Sequence, residues 1–325
     1  MEPSAQPPWS MSLKRFRQTA IVAVVALCLV VVAGGVVRLT GSGLGCDDWP
    51  NCNSERFVDV SSGHTAIEQI NRLLSVLLGI PVLILAVGSF RVRPRGRRLI
   101  GPSLVVLVSV LANGVVGGLA VRGDLHPAII QSHFLLAMFS ITFGLIAANR
   151  ARPAPDATSD PFVTPLGIRL QVWAVGILTG IAVVTGTVVT GTGPHAGDEE
   201  ARRWVLDISS VARVHSLSVL VTLGAAVLLI WSIRGYGELR ARVAAPLSTW
   251  MFLAILQGGI GYLQYFNGVP ELLVGAHIAG GTALWVATVQ LVLRGGSPTD
   301  DPSGSESASG VPSETRILID PPQHV

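Results

Sequence analysis

The sequence has few charged residues and few cysteines. Asp, Glu, Lys and Arg make up only 13% of its 325 residues, and there are three cysteines. The low charge argues against a soluble domain, and the cysteines are too few for a cysteine-rich zinc site. Half of the residues are hydrophobic, and apolar stretches of about 20 residues, the length that a helix needs to cross the hydrocarbon core, recur along the chain. The sequence therefore predicts an all-α, polytopic membrane protein.

Eight membrane-spanning helices are predicted, at approximately 18–38, 66–90, 99–121, 127–148, 167–190, 209–233, 245–265 and 271–293. Basic residues precede the first helix and follow the second, fourth and sixth helices. The positive-inside rule therefore places both termini in the cytoplasm. This topology, and not nucleic-acid binding, explains the net charge of +3. We expect the first helix to be retained and not cleaved as a signal peptide.

The predicted helices fall into two similar halves. Asn71 and His133 are 62 positions apart (133 − 71), and so are His215 and His277 (277 − 215). The first and fifth helices end in the similar glycine-containing segments VVAGGVVRLTGSG and VVTGTVVTGTG. We therefore predict two pseudo-symmetric four-helix bundles that run in the same direction across the bilayer.

The domain boundaries follow from these halves. We predict a cytoplasmic N-terminal tail (1–17), an N-terminal bundle (18–148), a cytoplasmic linker (149–166), a C-terminal bundle (167–293) and a cytoplasmic tail (294–325). The last segment is rich in Ser, Pro, Gly and Asp and cannot bury a core, so we expect it to be disordered.

Two histidines of the C-terminal bundle are candidate metal ligands. His215 and His277 lie several residues into the sixth and eighth helices, which run in the same direction and can place them at matching depth. Ionisable groups at such depth usually face an interior site. Two imidazoles on facing helices are the usual ligands of a haem in a four-helix bundle. The alternative is a pair of hydrogen-bonded core histidines.

The N-terminal bundle offers a different set of side chains. His133 occupies the place of His277, but Asn71 replaces the second imidazole. Asparagine is a poor iron ligand, so a haem here would have one protein ligand and one open face. Glu68 lies three residues before Asn71 and four before Arg72, on the same helix face. We expect Glu68 to act as a general acid/base or proton relay; an ion pair with Arg72 is the alternative.

The first outer loop contains a pair of cysteines. Cys46 and Cys52 flank the sequence DDWPN, in a compartment where disulfides persist, and we predict that they are linked. Two free thiols are the alternative. A zinc site would need ligands that this loop does not supply.

Three further histidines lie near the predicted outer surface. His64 and His126 are also 62 positions apart (126 − 64) and could form a second, outer metal or haem site. The alternative is that both are ordinary exposed histidines at the membrane boundary. His195 has no paired equivalent, and its Gly and Pro neighbours predict a turn.

In this order and spacing, these segments resemble the haem A synthase family, membrane enzymes that convert haem O to haem A for terminal oxidases. The resemblance covers essentially all eight helices and is carried by TGSGLGCDDWPNC, IEQINR, SHFLLAM, GTGPHAGD, VARVHSLSV and VGAHIAG. It implies a tightly held haem b in the C-terminal bundle, ligated by His215 and His277. It also implies that haem O, the substrate, binds in the N-terminal bundle with His133 as a ligand. The sequence departs from the family at Asn71, where many relatives have His.

The resemblance also implies a reaction and further roles. A methyl group of haem O is oxidised to a formyl group in a bacterial cell membrane. Glu68 takes the place of the acid in the family's ExxH segment, and Cys46 with Cys52 takes that of its outer-loop cysteine pair. The partners implied are haem O, the haem O synthase that supplies it, an unknown electron acceptor, the bilayer and a second copy of the chain.

Arginines near the outer ends of the helices are candidates for pairing with haem propionates. They are Arg38, Arg72, Arg122 and Arg213. Lipid headgroups are the alternative partners of these side chains.

Two other classes of function remain open. A b-type cytochrome that carries electrons would need the two facing histidines but would have no use for Glu68 beside an open site. A haem or small-molecule transporter would favour helices broken near the midplane, whereas the glycine-rich segments here lie at helix ends.

Overall fold

The computed structural model describes residues 10–92, 96–152 and 164–296. Within these ranges the chain forms eight long α-helices, one short 3-10 turn (Ile233–Gly235) and no strand. The long helices are α1 (Leu13–Leu39), α2 (Gly63–Ser89), α3 (Gly96–Arg122), α4 (Pro127–Arg150), α5 (Leu166–Thr192), α6 (Ile208–Ser232), α7 (Gly237–Phe266) and α8 (Glu271–Gly295). The prediction of an all-α chain with eight spans is confirmed.

Each of the eight helices is long and apolar enough to cross a membrane. They contain 24 to 30 residues, which at about 1.5 Å per residue is roughly 36 to 45 Å. Most start earlier than predicted, and α7 begins at Gly237 and not at 245. The predicted disordered tail lies outside the described residues from position 297, as do most of the cytoplasmic linker and the first nine residues.

The helices pack as two groups. In the N-terminal bundle, α1 contacts α2 and α4, and α3 contacts α2 and α4. In the C-terminal bundle, α5 contacts α6 and α8, and α7 packs along α8. However, α6 and α7 touch each other much less than α2 and α3 do. The pseudo-symmetry of the bundles therefore stays a prediction, with this difference between them.

The two groups are joined by α8, which contacts α1 and α4, and by α5, which contacts α4. Trp285 of α8 donates from its indole nitrogen to the backbone oxygen of Met138 and to Thr142 Oγ1, both on α4, at 3.1 and 3.0 Å. At the outer side, Gly43 donates a backbone hydrogen bond to Gly197 at 2.8 Å. The two outer loops thus hold each other above the bundles.

Candidate functional site

The three interior histidines each lie against a glycine of the preceding helix. The pairs are His133 with Gly117, His215 with Gly186 and His277 with Gly261. A Cβ atom at any of these glycines would lie only 3.1 to 3.4 Å from the Cε1 atom of the imidazole. A side chain would therefore crowd the ring at Gly117 and Gly186 and would just touch it at Gly261. Glycine lets each imidazole approach the backbone of its neighbour.

Two of these pairs stand at equivalent places in the two halves of the sequence. Gly117 and Gly261 are 144 positions apart (261 − 117), and so are His133 and His277 (277 − 133). Their contacts are also alike, since in each case the glycine lies under Cε1 of the ring. This recurrence supports the prediction that the bundles are related.

In the C-terminal bundle, the rings of His215 and His277 face each other with centroids 6.4 Å apart and planes at 89°. Two imidazoles on opposite sides of one iron, each with its nitrogen about 2.0 Å from the metal and about 1.1 Å from its ring centre, would have centroids about 6 Å apart. The residues therefore fit a bis-imidazole haem. Thr185 Oγ1 lies 3.2 Å from Nδ1 of His215. The assignment of the pair as ligands stays a prediction.

In the N-terminal bundle, two buried polar atoms of the candidate site lack partners. The Oδ1 atom of Asn71 and the Nδ1 atom of His133 have no hydrogen-bond partner among the described residues. Gly34 stands in α1 where the similar segment of α5 has Gly186, but a Cβ at Gly34 would meet nothing within 4 Å. The contact between a glycine and a facing imidazole, seen at Gly186, therefore has no counterpart at Gly34.

Glu68 is buried, with only 4% of its surface exposed. Its Oε2 atom accepts from the backbone N–H of Cys46 at 2.7 Å, and its Oε1 atom accepts from Nη2 and Nε of Arg72 at 2.6 and 3.0 Å. Arg72 also donates to the backbone oxygens of Asp48 and Asn51, each at 3.0 Å. The ion pair is thus present, and both of its partners fasten the outer loop to α2.

The outer loop is closed by the predicted disulfide. Cys46 and Cys52 are linked and buried. Between them, the indole of Trp49 lies on Gly118, where a Cβ atom would be 2.5 Å from Cδ2. Gly118 follows the glycine that lies under His133 in α3. The disulfide loop therefore covers the outer end of the N-terminal bundle next to its candidate haem ligand.

Three of the four arginines proposed for propionates, Arg38, Arg72 and Arg122, have backbone partners. Arg122 donates to the backbone oxygen of Trp49 at 2.6 Å, and Arg38 donates to the backbone oxygens of Thr190 and His195. The pKa of Asp48 lies below its usual range because the backbone N–H of Trp49 donates to it and because Arg122 and Arg72 are near. Arg213 is exposed. A role in propionate binding stays a prediction for all four arginines.

The outer histidines have separate partners. Nδ1 of His64 lies 2.9 Å from Ser42 Oγ, whereas His126 caps α4 and packs edge-on against Trp204 with ring centroids 5.9 Å apart. His195 lies 2.7 Å from the backbone oxygen of Val269 through Nε2. Among the described residues there is no group of three or more His, Cys, Asp or Glu that could hold a metal ion. The outer metal site therefore gains no support from the fold.

A family model described as COX15-CtaA, Cytochrome oxidase assembly protein, matches residues 17–197. The chain belongs to this family. The matched range contains the disulfide loop, Glu68, Asn71 and His133, and it ends before α6 and α8. The COX15-CtaA match therefore covers Glu68, Asn71 and His133 of the N-terminal site, whereas His215 and His277 lie outside the matched residues.

Relatives named "Heme A synthase" are just over a quarter identical to this COX15-CtaA chain within the aligned residues. The protein of Geobacillus kaustophilus (strain HTA426) is 28% identical over 183 residues, which cover 56% of this chain and 57% of the relative. That of Bacillus cereus (strain AH187) is 28% identical over 182 residues, 54% of this chain and 58% of the relative. That of Halalkalibacterium halodurans is 27% identical over 268 residues, 78% of this chain and 86% of the relative. The chain thus matches less than two thirds of the length of the first two.

Reasoning from the sequence missed the residues that place the imidazoles. Gly117, Gly186 and Gly261 were not singled out, although the spacing of 144 that relates His133 to His277 also relates two of these glycines. The role of Trp49 as a cover was missed as well. No sequence signal indicated it, because the contact joins a loop to a helix far along the chain.

Proposed function

We propose that this COX15-CtaA chain is a haem A synthase, an oxidoreductase that oxidises a methyl group of haem O to a formyl group. The observation that carries the proposal is the difference between the two bundles. One has two facing imidazoles with centroids 6.4 Å apart; the other has one imidazole and an amide. A closed ligand set suits electron transfer, and an open one suits a haem that itself reacts. The names of the relatives support the same activity.

In this proposal, haem b is a resident cofactor of the C-terminal bundle and supplies one-electron transfer when bound. His215 and His277 would be its ligands, and Thr185 orients the ring of His215 through its hydroxyl. Gly186 and Gly261 let the rings stand close to α5 and α7. The chain thus holds the two imidazoles at a fixed separation within apolar helices.

The substrate, haem O, would bind in the N-terminal bundle beside His133. In this oxidation the methyl carbon gains an oxygen atom from water and loses hydrogen as protons and electrons. The electrons would pass to the proposed electron acceptor, and Glu68 is the buried carboxylate of α2 that would accept a proton. The carboxylate oxygens accept hydrogen bonds from Cys46 N–H and from Arg72. The carboxylate of Glu68 therefore has a fixed position, in contact with the outer loop to which a proton would pass. Trp49 lies on Gly118 and would cover the outer end of this site. These roles follow from general acid/base chemistry at a positioned carboxyl.

The proposed setting is a bacterial cell membrane with both termini in the cytoplasm. The eight spans and the basic residues near Lys14 and Arg240 support this orientation through the positive-inside rule. It places the disulfide loop on the outer, oxidising side, where a disulfide is stable. Haem O synthase as the supplier, an electron acceptor and a second copy of the chain are the partners that we propose.

The test is the haem composition of cells that depend on this chain for haem A. Glu68→Gln keeps the size of the side chain but cannot exchange a proton, so we expect haem O to accumulate and haem A to be lost while haem b remains. Glu271→Gln is the matched control, since Glu271 is an exposed glutamate in the first turn of α8. If cells with the wild-type chain contain haem b but form no haem A, the b-type cytochrome alternative is the better description.

A further inference from the structure

Gln257 of α7 is a buried carboxamide with no hydrogen-bond partner. Only 6% of its surface is exposed, and neither its oxygen nor its nitrogen has a partner among the described residues. An unpaired amide inside an apolar bundle is unfavourable. Its amide lies against the backbone of Gly280 in α8, at the place where a Cβ of residue 280 would be. The fold thus makes room for an amide that no described residue binds.

The location of Gln257 is defined by two helices. On α7 it lies four residues before Gly261, the glycine under His277, which is about one helical turn. On α8, Gly280 lies three residues after His277 and therefore on the same helix face. The amide is thus one turn from the imidazole on both helices. Nδ1 of His277 also lacks a partner among the described residues.

The N-terminal bundle repeats this arrangement. Asn113 is 144 positions before Gln257 (257 − 113) and four residues before Gly117, the glycine under His133. The Oδ1 atom of Asn113 and the Nδ1 atom of His133 are likewise buried without a hydrogen-bond partner, although the backbone of Asn113 lies close to the imidazole of His133. An unpaired carboxamide therefore stands one turn from an unpaired imidazole nitrogen in both bundles, and this recurrence argues against an accident of packing.

A ligating imidazole needs an acceptor for its second nitrogen. Metal-bound histidines almost always donate the other ring N–H to an oxygen, which fixes the ring and raises its basicity. His215 has Thr185 Oγ1 at 3.2 Å for this purpose, whereas His277 has no such group. The amide oxygen of Gln257 is an unpaired acceptor about one helical turn from this ring.

We propose that Gln257 is a positioning residue for His277: its amide oxygen accepts the Nδ1–H hydrogen bond when Nε2 of His277 ligates haem b. The inference rests on the proposed function, because it requires a haem b in the C-terminal bundle. To make this bond, the amide would turn from Gly280 toward Gly261, which lies one helical turn away on α7. The hydrogen bond makes the imidazole a stronger donor to iron and stabilises the ferric form over the ferrous form.

The experiment is a redox titration of the purified full chain, followed by the absorbance of its b-type haem. Gln257→Leu removes the acceptor, and we expect its ferric-to-ferrous affinity ratio to fall about tenfold, which raises the midpoint potential by about 59 mV for a one-electron couple. Gln257→Glu keeps an acceptor oxygen, and we expect its potential to stay equal to the wild-type value or to fall. If Gln257 had only a structural role, the midpoint potential would not rise in Gln257→Leu while it stayed equal or fell in Gln257→Glu.

Two controls locate the effect. Asn113→Leu changes the corresponding amide of the other bundle and should leave the potential of haem b unchanged. Gln264→Leu changes another α7 residue with a buried, unpaired oxygen, and it too should leave the potential unchanged. A shift in Gln264→Leu without one in Gln257→Leu would assign the role to Gln264 and overturn the proposal.

The remaining outcomes also decide. An unchanged potential in Gln257→Leu, or an equal rise in Gln257→Glu, overturns the proposal. If Gln257→Leu loses its haem, Gln257→Glu decides: retention of a low-spin haem b without a raised potential supports the proposal, and loss from both variants contradicts it. A wild-type chain without any low-spin haem b would instead refute the proposed function itself, so the two failures are distinguishable.

Discussion

The backbone N–H of Cys46 donates a hydrogen bond of 2.7 Å to Oε2 of Glu68. A half-cystine and the candidate acid are therefore parts of one assembly, which Arg72 completes by binding both the carboxylate and the backbone of the disulfide loop. The loop does more than cover the bundle, because it supplies one of the donors that fix the carboxylate. A change in the disulfide is thus expected to affect Glu68 directly.

We predict that Cys46→Ser lowers haem A formation strongly while leaving haem b in place. Without the disulfide the loop gains conformational freedom, and the loss of a disulfide typically costs about 2–4 kcal/mol. Glu68 and Arg72 then lose their fixed donors and acceptors in residues 46–51. Haem extraction from the same membranes measures both effects in one sample.

Cys28→Ser is the control for this variant, because Cys28 is the free, half-buried cysteine of α1. Normal haem A formation in Cys46→Ser would mean that the position of Glu68 does not depend on the disulfide, contrary to the hydrogen bond from Cys46.

His215→Ala and His277→Ala should each abolish stable binding of haem b without preventing insertion into the membrane. Each substitution removes one of the two facing imidazoles, while the apolar length of α6 and α8 is unchanged. A reduced-minus-oxidised spectrum of the purified variants measures the outcome. His126→Ala, at the end of α4, should retain the full signal. Undiminished low-spin haem b in both of the first two variants would refute the assignment.

Gly186→Ala should lower the haem b content about tenfold. The new Cβ would lie 3.1 Å from Cε1 and 3.4 Å from Nδ1 of His215, and overpacking of this kind typically costs about 1–3 kcal/mol. The ring must then turn away from Thr185 and from His277. Gly180→Ala on the same helix is the matched control, because its Cβ would have only ordinary contacts at 3.8 Å. Equal haem content in the two variants would show that the glycine contact does not position His215.

The elements that the sequence predicted best are those set by local patterns. Apolar length predicted all eight helices, and the loop context of Cys46 and Cys52 predicted their disulfide. The equal spacing of 62 predicted that His215 and His277 meet, and their rings do face each other. These features depend on spacing along a helix or a short loop, which the sequence contains in full.

The features that the sequence did not predict depend on contacts between distant segments. The cover that Trp49 forms over Gly118 joins the first outer loop to α3, and Arg38 binds the backbone of a loop more than 150 positions away. The weak contact between α6 and α7 differs from the closer contact between α2 and α3. The equal spacing of the histidines gives no sign of this difference. Such contacts follow from the packing of whole helices and loops, which no single sequence motif predicts.

Asn71→His would complete the ligand set of the N-terminal bundle. The new imidazole would stand 62 positions from His133, as His215 stands from His277. Gly34 of α1 corresponds to Gly186, and a Cβ at Gly34 would meet no atom within 4 Å. We expect this variant to bind haem O at least as tightly as the wild type and to convert its ferric spectrum from high-spin to low-spin, because a second nitrogen closes the open face. Electron paramagnetic resonance of both proteins with haem O bound measures the change. Leu73→His is the control, since Leu73 is exposed and lies two positions after Asn71, on the opposite side of α2. If the wild type with haem O already shows two low-spin haems, another residue supplies the missing ligand, and the open site at Asn71 does not exist.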